Sequence, residues 1–475
     1  RAFDIELQVR VLADGEAPAA AAPAGHAALA AAQREAWHTL WQHAHIEAPG
    51  DDALERACRF SAFHLLQTGS PLSASRDAGL PARGWQEGYF GQVFWDEVFA
   101  FGFHDLRFPA IARGLLCYRH RRLPAARRAA GAAGRGGGMF PWRSAASGEE
   151  ETPPYQWIPP ARQWKPDHTH LQHHIGSAIA FNLWRHHLAT DDRALLLAHT
   201  GEMLIEIARF WASSVVRGES GRFEIRGVIG PDEYHDAWPG AAQPGLDNNA
   251  YTNLMAAWTL RCASELPQRL HSDDWRQLCR QSGVQGDEVQ AWDDISRRLK
   301  VPLIDDGVIA QFDGFDQLLP ADGDGLPPRH GSEREDWWLL ARGDDVNRYQ
   351  VTKQADVLML LYLLGADETR LLIERQGVEL PPGWHERTVR HYLDRISHES
   401  SLSHPVCAGA LAEIDPEESW LYFRRALHTD LDRKTSPSTQ EGVHLGAMAG
   451  AWDVLQRFYF GLSVQADRLL LRPCP

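Results

Sequence analysis

Between Val228 and Asn253 the chain reads VIGPDEYHDAWPGAAQPGLDNNAYTN, a span that gathers Asp232, Glu233, His235, Asp236 and Asp247. A carboxylic acid held in a pocket can protonate a departing oxygen, and Glu233 is the candidate for that task. To stay protonated near neutral pH it needs an apolar, ring-lined setting that raises its pKa. Gly230-Pro231, Pro239-Gly240 and Pro244-Gly245 cannot continue a helix, so these acids are predicted on a long loop. The next helix is expected from about Asn248, with Asp247 as its N-cap. A loop whose carboxylates merely cap neighbouring helices is the plainer reading of such a cluster.

Other segments have the same character. Phe94-Trp95-Asp96-Glu97 places rings beside carboxylates. Lys353-Gln354-Ala355-Asp356 opens a very apolar helix predicted over Val351–Leu364, where an amine and an amide need partners. His398-Glu399-Ser400-Ser401-Leu402-Ser403 and Ser438–His444 each begin a helix with hydroxyl groups. Helix N-termini of this kind are ready anion sites. Each piece also has a bland reading: Lys353 and Gln354 pair with local acids, Ser400 is an N-cap, and His444 is a core histidine. Together they make one layout. Glu233 protonates a leaving oxygen, Trp95/Asp96 and Lys353/Gln354 hold a sugar ring, and the Ser and His groups hold an anion opposite. An inverting transfer of a glycosyl group to phosphate needs that geometry. Phosphate is already anionic, so no second catalytic carboxylate is required.

The composition of the 475 residues, 44% hydrophobic and 23% charged, is that of a globular protein with a large core. A formal charge of −15 without a basic stripe disfavours nucleic acid or an anionic membrane as partner. The eighteen Trp suit a cleft that stacks sugar faces, although Trp is also a large core residue. Cys58, Cys117, Cys262, Cys279, Cys407 and Cys474 show no CxxC and no close Cys/His spacing. Neither a metal nor a disulfide framework is expected, and a cytoplasmic location fits best. No run reaches membrane-spanning length.

Phe3–Leu12 alternates like a strand and has no nearby partner; an Ala/Pro linker over Ala13–Pro23 follows. From Gly25 the period is helical. Expected helices include Phe108–Ala132 with an Arg-rich exposed face, His168–Ala189, Asp192–Val216 and Glu441–Gly461. Phe223–Val228 reads as a short strand. Gly134–Gly138 lacks the strand–loop–helix context of a phosphate cradle and is read as a turn before Phe140-Pro141-Trp142. Arg468–Arg472 resumes strand alternation. Helix hairpins joined alternately by short turns and long polar loops predict a mainly α fold, an (α/α)-barrel. A solenoid repeat of ~34–47 residues is not found.

Ordered motifs carry a resemblance: VFWDE (93–97), YRHRRLPAARRAA (118–130), FPW (140–142), ARFWAS (208–213), VIGPDEYH (228–235), DNNAYTN (247–253), KQADVLML (353–360), SSLS (400–403) and EGVHLGAMAG (441–450). From about Asp4 to its end the chain resembles the disaccharide phosphorylases of glycoside hydrolase family 65, which include maltose, trehalose and kojibiose phosphorylases. The resemblance implies an (α/α)6 catalytic barrel over residues 25–465. The end of an N-terminal β domain and linker (1–24) and the start of a C-terminal β domain (466–475) flank it. Position by position it gives Glu233 as general acid. Trp95, Asp96, Trp142, Lys353 and Gln354 hold the substrate, and Ser400, Ser401 and His444 the phosphate. The implied reaction is phosphorolysis of an α-glucosyl disaccharide with inversion to β-glucose 1-phosphate. Inorganic phosphate is then the co-substrate, with no other cofactor, and a homodimer is left open.

The chain departs from the family pattern in places. Gln92 stands for the usual His before FWD, Phe90 for a frequent Arg, and Pro437-Ser438-Thr439 for Gly-Thr-Thr. Glu399 stands where Gly or Asp is common. An acid beside the anion site repels phosphate and could activate water instead. The alternative is therefore an inverting α-glucoside hydrolase, kojibiose- or trehalose-type, with Glu399 as general base. A sugar-binding barrel without turnover is the third reading.

Overall fold

A computed structural model of the chain describes residues 25–84, 88–320, 334–431, 437–465 and 468–473. The strand expected over Phe3–Leu12 lies outside them. The chain divides into two units, residues 1–59 and 60–475. In the first, His26–Ala44 is a helix that buries only Ala44, and its Trp37 and Trp41 stack at 5.7 Å.

The second unit is built from helices whose sequences sort them into two layers. Six are apolar around most of their circumference along most of their length, which places them inside. These are α1 (Glu97–Arg107), α2 (Ile175–Thr190), α3 (Ala250–Arg269), α4 (Leu358–Arg375), α5 (Ser403–Leu411) and α6 (Leu445–Asp453). Every residue of α6 is buried, as is every residue of α1 from Glu97 to Asp105. Each packs on the next, and α6 closes the ring against α1. Amphipathic helices such as Pro109–Arg121, Gly201–Ser214, Trp384–Leu393 and Pro416–Leu427 pack around the outside. The result is an (α/α)6 barrel.

Small residues let the ring close. A Cβ on Gly450 of α6 would stand 2.7 Å from Pro405 of α5 and 3.3 Å from Phe99 of α1. Buried polar groups are tied across it, as they must be in a dry core. His186 of α2 meets Asp105 of α1 at 2.8 Å, and Tyr362 of α4 donates to Asp453 of α6 at 2.8 Å. Loop-rich segments precede the six inner helices in turn, their described residues being 75–84 with 88–96, 133–174, 215–249, 297–320 with 334–357, 394–402, and 428–431 with 437–444. They carry two-stranded hairpins, of which Tyr155–Ile158 with Gln163–Pro166 is the longest. After α6 the chain pairs Leu462–Val464 with Leu469–Leu471.

Several expected elements are shorter or divided. Phe108–Ala132 is two helices, Pro109–Arg121 and Leu123–Ala132, because Pro124 has no N–H to continue the first. Two of its arginines are not on an exposed face. Arg119 is buried against Glu97 at 2.8 Å, and Arg122 stacks on the Tyr118 ring at 3.6 Å. The helix expected from Val351 begins only at Leu358, leaving Lys353 and Gln354 on the loop before it. Of Phe223–Val228, only Phe223–Glu224 is strand, paired with Val216–Arg217.

Gly134–Gly138 turns the chain tightly over the helix Gly201–Ser214. Gly137 has φ 73°, and a Cβ there would lie 2.2 Å from the Glu206 carbonyl oxygen. Gly137→Val should destabilise the protein by about 1–3 kcal/mol. A lower thermal midpoint than in Gly136→Ala, whose nearest neighbour is 3.7 Å away, is the check.

Candidate active site

One cleft in the second unit is lined from all six segments that enter the inner ring. Arg83, Tyr89, Trp95 and Asp96 come from the segment before α1, and Trp142, Arg143, Lys165 and His168 from that before α2. Glu233 and Asp236 precede α3, while Arg334, Asp336, Lys353 and Gln354 precede α4. Glu399, Ser400 and Ser401 precede α5, and His444 is the N-cap residue of α6. Every residue singled out in the sequence for acid, sugar or anion contact therefore faces one space.

The loop that carries Glu233 is closed at its base. Val228 and Leu246 exchange backbone hydrogen bonds of 3.0 and 2.8 Å, and Gly245 N–H donates to Asp236 at 2.7 Å. Above that base Asp232 is buried, and its carboxylate accepts from Lys353 N–H (2.7 Å), the Gln311 amide (2.9 Å) and both the backbone N–H (3.3 Å) and ring Nδ1 of His235. His235 Nε2 donates to the Tyr349 carbonyl at 2.8 Å. Both ring nitrogens thus face acceptors. Burial alone lowers the His235 pKa, but the Asp232 charge outweighs it and holds the imidazolium. Asp356 accepts from Asp232 N–H (3.2 Å) and from Asn249 (3.1 and 3.2 Å). Burial beside Asp232 pushes Asp356 up to about 8. Asn249, not Asp247, caps α3, accepting from Thr252 N–H at 2.8 Å. Asp247 accepts instead from Gly227 N–H at 3.1 Å.

Glu233 follows this anchor with φ 65°, a left-handed backbone that a side chain rarely adopts. Strain of this kind is held where the surroundings over-determine it, often at functional sites. Its carboxylate pairs with the Lys353 ammonium and accepts from the Gln172 amide at 3.3 Å. Gln172 is oriented in turn by His174 Nε2 at 3.0 Å. Burial pushes His174 down to about 3, so its ring is neutral. The pKa of Glu233 is not raised as the sequence reading required. Burial pushes it up, but the Lys353 charge and hydrogen bond, the Gln172 amide and the Arg334 charge together hold it below its ordinary value. The ring-lined wall is present, yet an ammonium stands inside it.

That wall is aromatic. Trp95 meets Trp142 at 6.1 Å, His174 at 5.0 Å and Tyr251 at 6.1 Å, and Phe94 meets Trp142 edge-on at 5.6 Å. Asp96 occupies the N-cap position of α1 but makes no side-chain capping bond, so helix capping does not account for it. Burial raises its carboxyl to about 6, against the Arg83 charge. Gln354 is buried and donates to the Pro231 carbonyl.

Ser400, Ser401 and His444 line the same cleft. His444 Nδ1 lies 2.7 Å from Asp430, whose other oxygen accepts the His444 backbone N–H at 2.7 Å. His444 Nε2 faces the Arg83 guanidinium, which can only donate. The ring is therefore neutral, with its proton on Nδ1. Burial lowers its pKa, as does the Arg83 charge. Glu399 accepts from Glu335 N–H at 2.6 Å and lies 3.7 Å from Arg334. Arg334 also grips Asp336 with two bonds, at 3.0 and 2.7 Å. Burial raises the Glu399 carboxyl.

The sequence reading missed Arg83, Arg143, Lys165, Arg334 and Asp336. These are single charges outside any periodic pattern, three on loops, Lys165 on a short strand and Asp336 in the first turn of a short helix, and only the motifs beside them, FPW for Arg143, hinted at a position. Among the described residues no group of three His, Cys, Asp or Glu is placed to hold a metal ion. Among them too, no helix is long and apolar enough to cross a membrane.

A barrel that sets an aromatic wall, a paired acid and a cluster of cations in one cleft is the architecture of a carbohydrate-active enzyme. Residues 59–453 match the family model described as the glycosyl hydrolase family 65 central catalytic domain, and the chain belongs to that family. It is 46% identical over 441 residues to an uncharacterized glycosyl hydrolase of Mycobacterium tuberculosis, covering 92% of this chain and 33% of that protein. It is 33% identical over 442 residues to the trehalose 6-phosphate phosphorylase of Lactococcus lactis, covering 92% and 56%. It is 34% identical over 457 residues to the kojibiose phosphorylase of Halothermothrix orenii, covering 93% and 54%. The chain thus spans a third to just over half the length of these relatives. A solved kojibiose phosphorylase-like chain from the human microbiome shares the fold, with a TM-score of 0.77 at 22% identity, covering 95% of this chain and 61% of that one.

Lys353→Gln tests the electrostatics of the acid. Without the ammonium, burial dominates and the Glu233 pKa should rise. In the wild type the pair stabilises above the unfolded carboxyl value of about 4.3, and that contribution is lost as pH falls through the lowered folded value. The variant should therefore be less stable at pH 7, by on the order of 2 kcal/mol, and the gap should narrow as the pH falls through the lowered folded value. Thermal melts at pH 7 and at successively more acid pH read the difference.

Proposed function

We propose that the chain carries an inverting phosphorolysis of an α-glucosyl disaccharide, releasing β-glucose 1-phosphate. Glu233 protonates the leaving oxygen. Trp95, Asp96, Trp142, Lys353 and Gln354 hold the glucosyl ring, and Ser400, Ser401 and the His444–Arg83 pair receive phosphate on the other side. The observation that carries this reading is the engagement of Glu399. One of its oxygens accepts from Glu335 N–H and the other lies 3.7 Å from the Arg334 guanidinium, so its repulsion of an anion is partly offset. Arg83 adds a positive charge where phosphate would enter. The phosphorylase names of the relatives from Lactococcus and Halothermothrix support the same reading. Scattered thiols in a chain of this composition suit a reducing, cytoplasmic setting.

Lys353 gives the proposal a sequence of events. In the empty cleft it neutralises Glu233. A glucosyl hydroxyl that draws the ammonium away leaves the buried carboxyl without its counter-charge, and the carboxyl then takes up the proton it must deliver. A hydrolase is the second reading, because Glu399 lines the same cleft as Glu233 and its raised pKa would strengthen it as a base.

A disaccharide screen with and without phosphate separates the two. Phosphorolysis gives glucose 1-phosphate only when phosphate is present, and Glu399→Gly keeps that activity. Full-rate release of free glucose without phosphate, abolished in Glu399→Gly, would establish hydrolysis instead. Under either reading Glu233→Gln should still bind sugar but lose turnover by about 10²–10⁴-fold, since the amide has no proton to give. Retained turnover on an ordinary disaccharide would remove Glu233 from the acid role.

A further inference from the structure

Behind the acid stands a relay of two polar side chains, Gln172 and His174, both fully buried. Neither is among the described residues that line the cleft. Their backbone is pinned at the entry to α2. Gln172 N–H donates to the Thr169 carbonyl at 3.0 Å, and the His174 carbonyl accepts from Ala178 N–H at 3.0 Å in the first turn of the helix. Ile229 N–H, on the acid's own loop, donates to the Leu171 carbonyl at 3.2 Å and ties the two segments together. The His174 ring is packed among Trp95, Trp142 and Tyr251, with centroids at 5.0, 5.2 and 5.5 Å. The direction of the amide follows from what faces it. A carboxylate only accepts, so Gln172 turns its NH2 to Glu233 Oε1 and its oxygen to His174 Nε2. The amide oxygen also only accepts, so the imidazole proton sits on Nε2, while Nδ1 is buried without a hydrogen-bond partner. Burial keeps the ring neutral, and the relay therefore holds one polarity around neutral pH.

The two oxygens of Glu233 are therefore unlike. Oε1 meets a fixed neutral donor, and Oε2 meets the ammonium of Lys353. Lys353 lines the cleft and Gln172 is not among its described lining residues, so Oε2 is the oxygen on the ligand's side. We propose that Gln172, aligned by His174, is a positioning residue for the acid: it holds Oε1 as an acceptor in both protonation states and so reserves Oε2 for the transferable proton. This rests on the reading of Glu233 as general acid, whether phosphate or water attacks. When Lys353 withdraws, Oε2 takes one proton from solvent, and Oε1 becomes the carbonyl oxygen, still bonded to the amide. In the transfer the Oε2–H bond breaks and its electron pair stays on the carboxylate. The proton bonds to the leaving glycosidic oxygen as the bond from that oxygen to the anomeric carbon breaks. Without the amide either oxygen can carry the proton, and the carboxyl can turn. The charged groups that face Glu233 are Lys353 and Arg334 from the segment before α4 and Asp96 from that before α1. Substitutions at Gln172 leave all three in the chain.

The test reads the acid both without and with turnover. Gln172→Met keeps the length of the side chain but offers no donor. In the ligand-free protein the carbon-13 carboxyl signal of Glu233, assigned by its loss in Glu233→Gln, should titrate higher in Gln172→Met than in the wild type, because a donor to the charged form is gone. Gln172→Glu sets a second carboxyl against the first and should raise the titration further; it carries the test if the Met variant does not fold. With the disaccharide that the screen finds is turned over fastest, the alkaline limb of kcat should move up in step with the titration. The plateau below that limb, where the carboxyl is protonated in both proteins, should nevertheless fall by about 10-fold with the sugar KM little changed, the worth of one hydrogen bond to a charged group. The proton is then no longer held on Oε2, and the departing charge has lost its donor. His174→Phe keeps a ring among the three aromatics and should lower the plateau in the same way, and the double variant should lose no more than Gln172→Met alone. An unchanged plateau in Gln172→Met would overturn the proposal, as would an unmoved titration, and additive losses would return His174 to packing of the wall. Turnover retained in Glu233→Gln would instead strike the acid reading itself, an outcome on which the carboxyl titration does not depend.

Discussion

The site hangs on one buried carboxylate. Asp232 lies beneath the cleft floor, and a charge in such a place is tolerated only when its oxygens are filled with donors. Those donors come from the segments before α3 and α4: Lys353 N–H, Gln311 and His235. Because Asp232 binds the backbone of Lys353 directly, it sets where the Lys353 ammonium can reach. Glu233, its neighbour in the chain, takes the left-handed turn directly after this anchored residue. Acid and ammonium are thus positioned by one group. Loss of any donor would leave a buried charge and displace both.

The cleft balances charge more evenly than the overall −15 suggests. Acids and cations alternate around it, and most of the cations are spent on acids: Lys353 on Glu233, Arg334 on Asp336, Lys165 on Asp236. Against that pattern, the side holding His444 is distinct. Asp430 accepts a hydrogen bond from the imidazole Nδ1–H and Arg83 faces the other nitrogen, so a positive charge stands behind a neutral ring. Such preorganised charges cost no reorganisation when a negative group arrives.

Much of this was legible in the residues. The acid, the ring–carboxylate pair, the Lys-Gln pair and the Ser and His groups stand in ordered motifs, and a mainly helical barrel follows from their apolar periods. What was not legible depended on side chains meeting across the fold. The sequence puts Lys353 at a helix start, but the Asp356 bonds to Asn249 and Asp232 hold that stretch as loop. Asp247 looks like the cap of α3. The left-handed turn at Asn248 (φ 56°) carries the start two residues on and gives the cap to Asn249. The lowered Glu233 pKa was hidden for the same reason, since 120 residues separate the acid from the ammonium that controls it. Single arginines on loops carry no periodic signal at all.

Every inner helix is reached through a segment that contributes its own piece of cleft wall, while the ring itself is sealed by helix-to-helix packing below. A substitution at a cleft-facing residue of one segment changes that wall without touching the contacts of Gly450, Phe99 or Pro405 that keep the ring shut. The wall a ligand meets and the seam that holds the helices together are thus built from different stretches of chain, although the bonds of buried Asp232 knot two of the wall segments to each other.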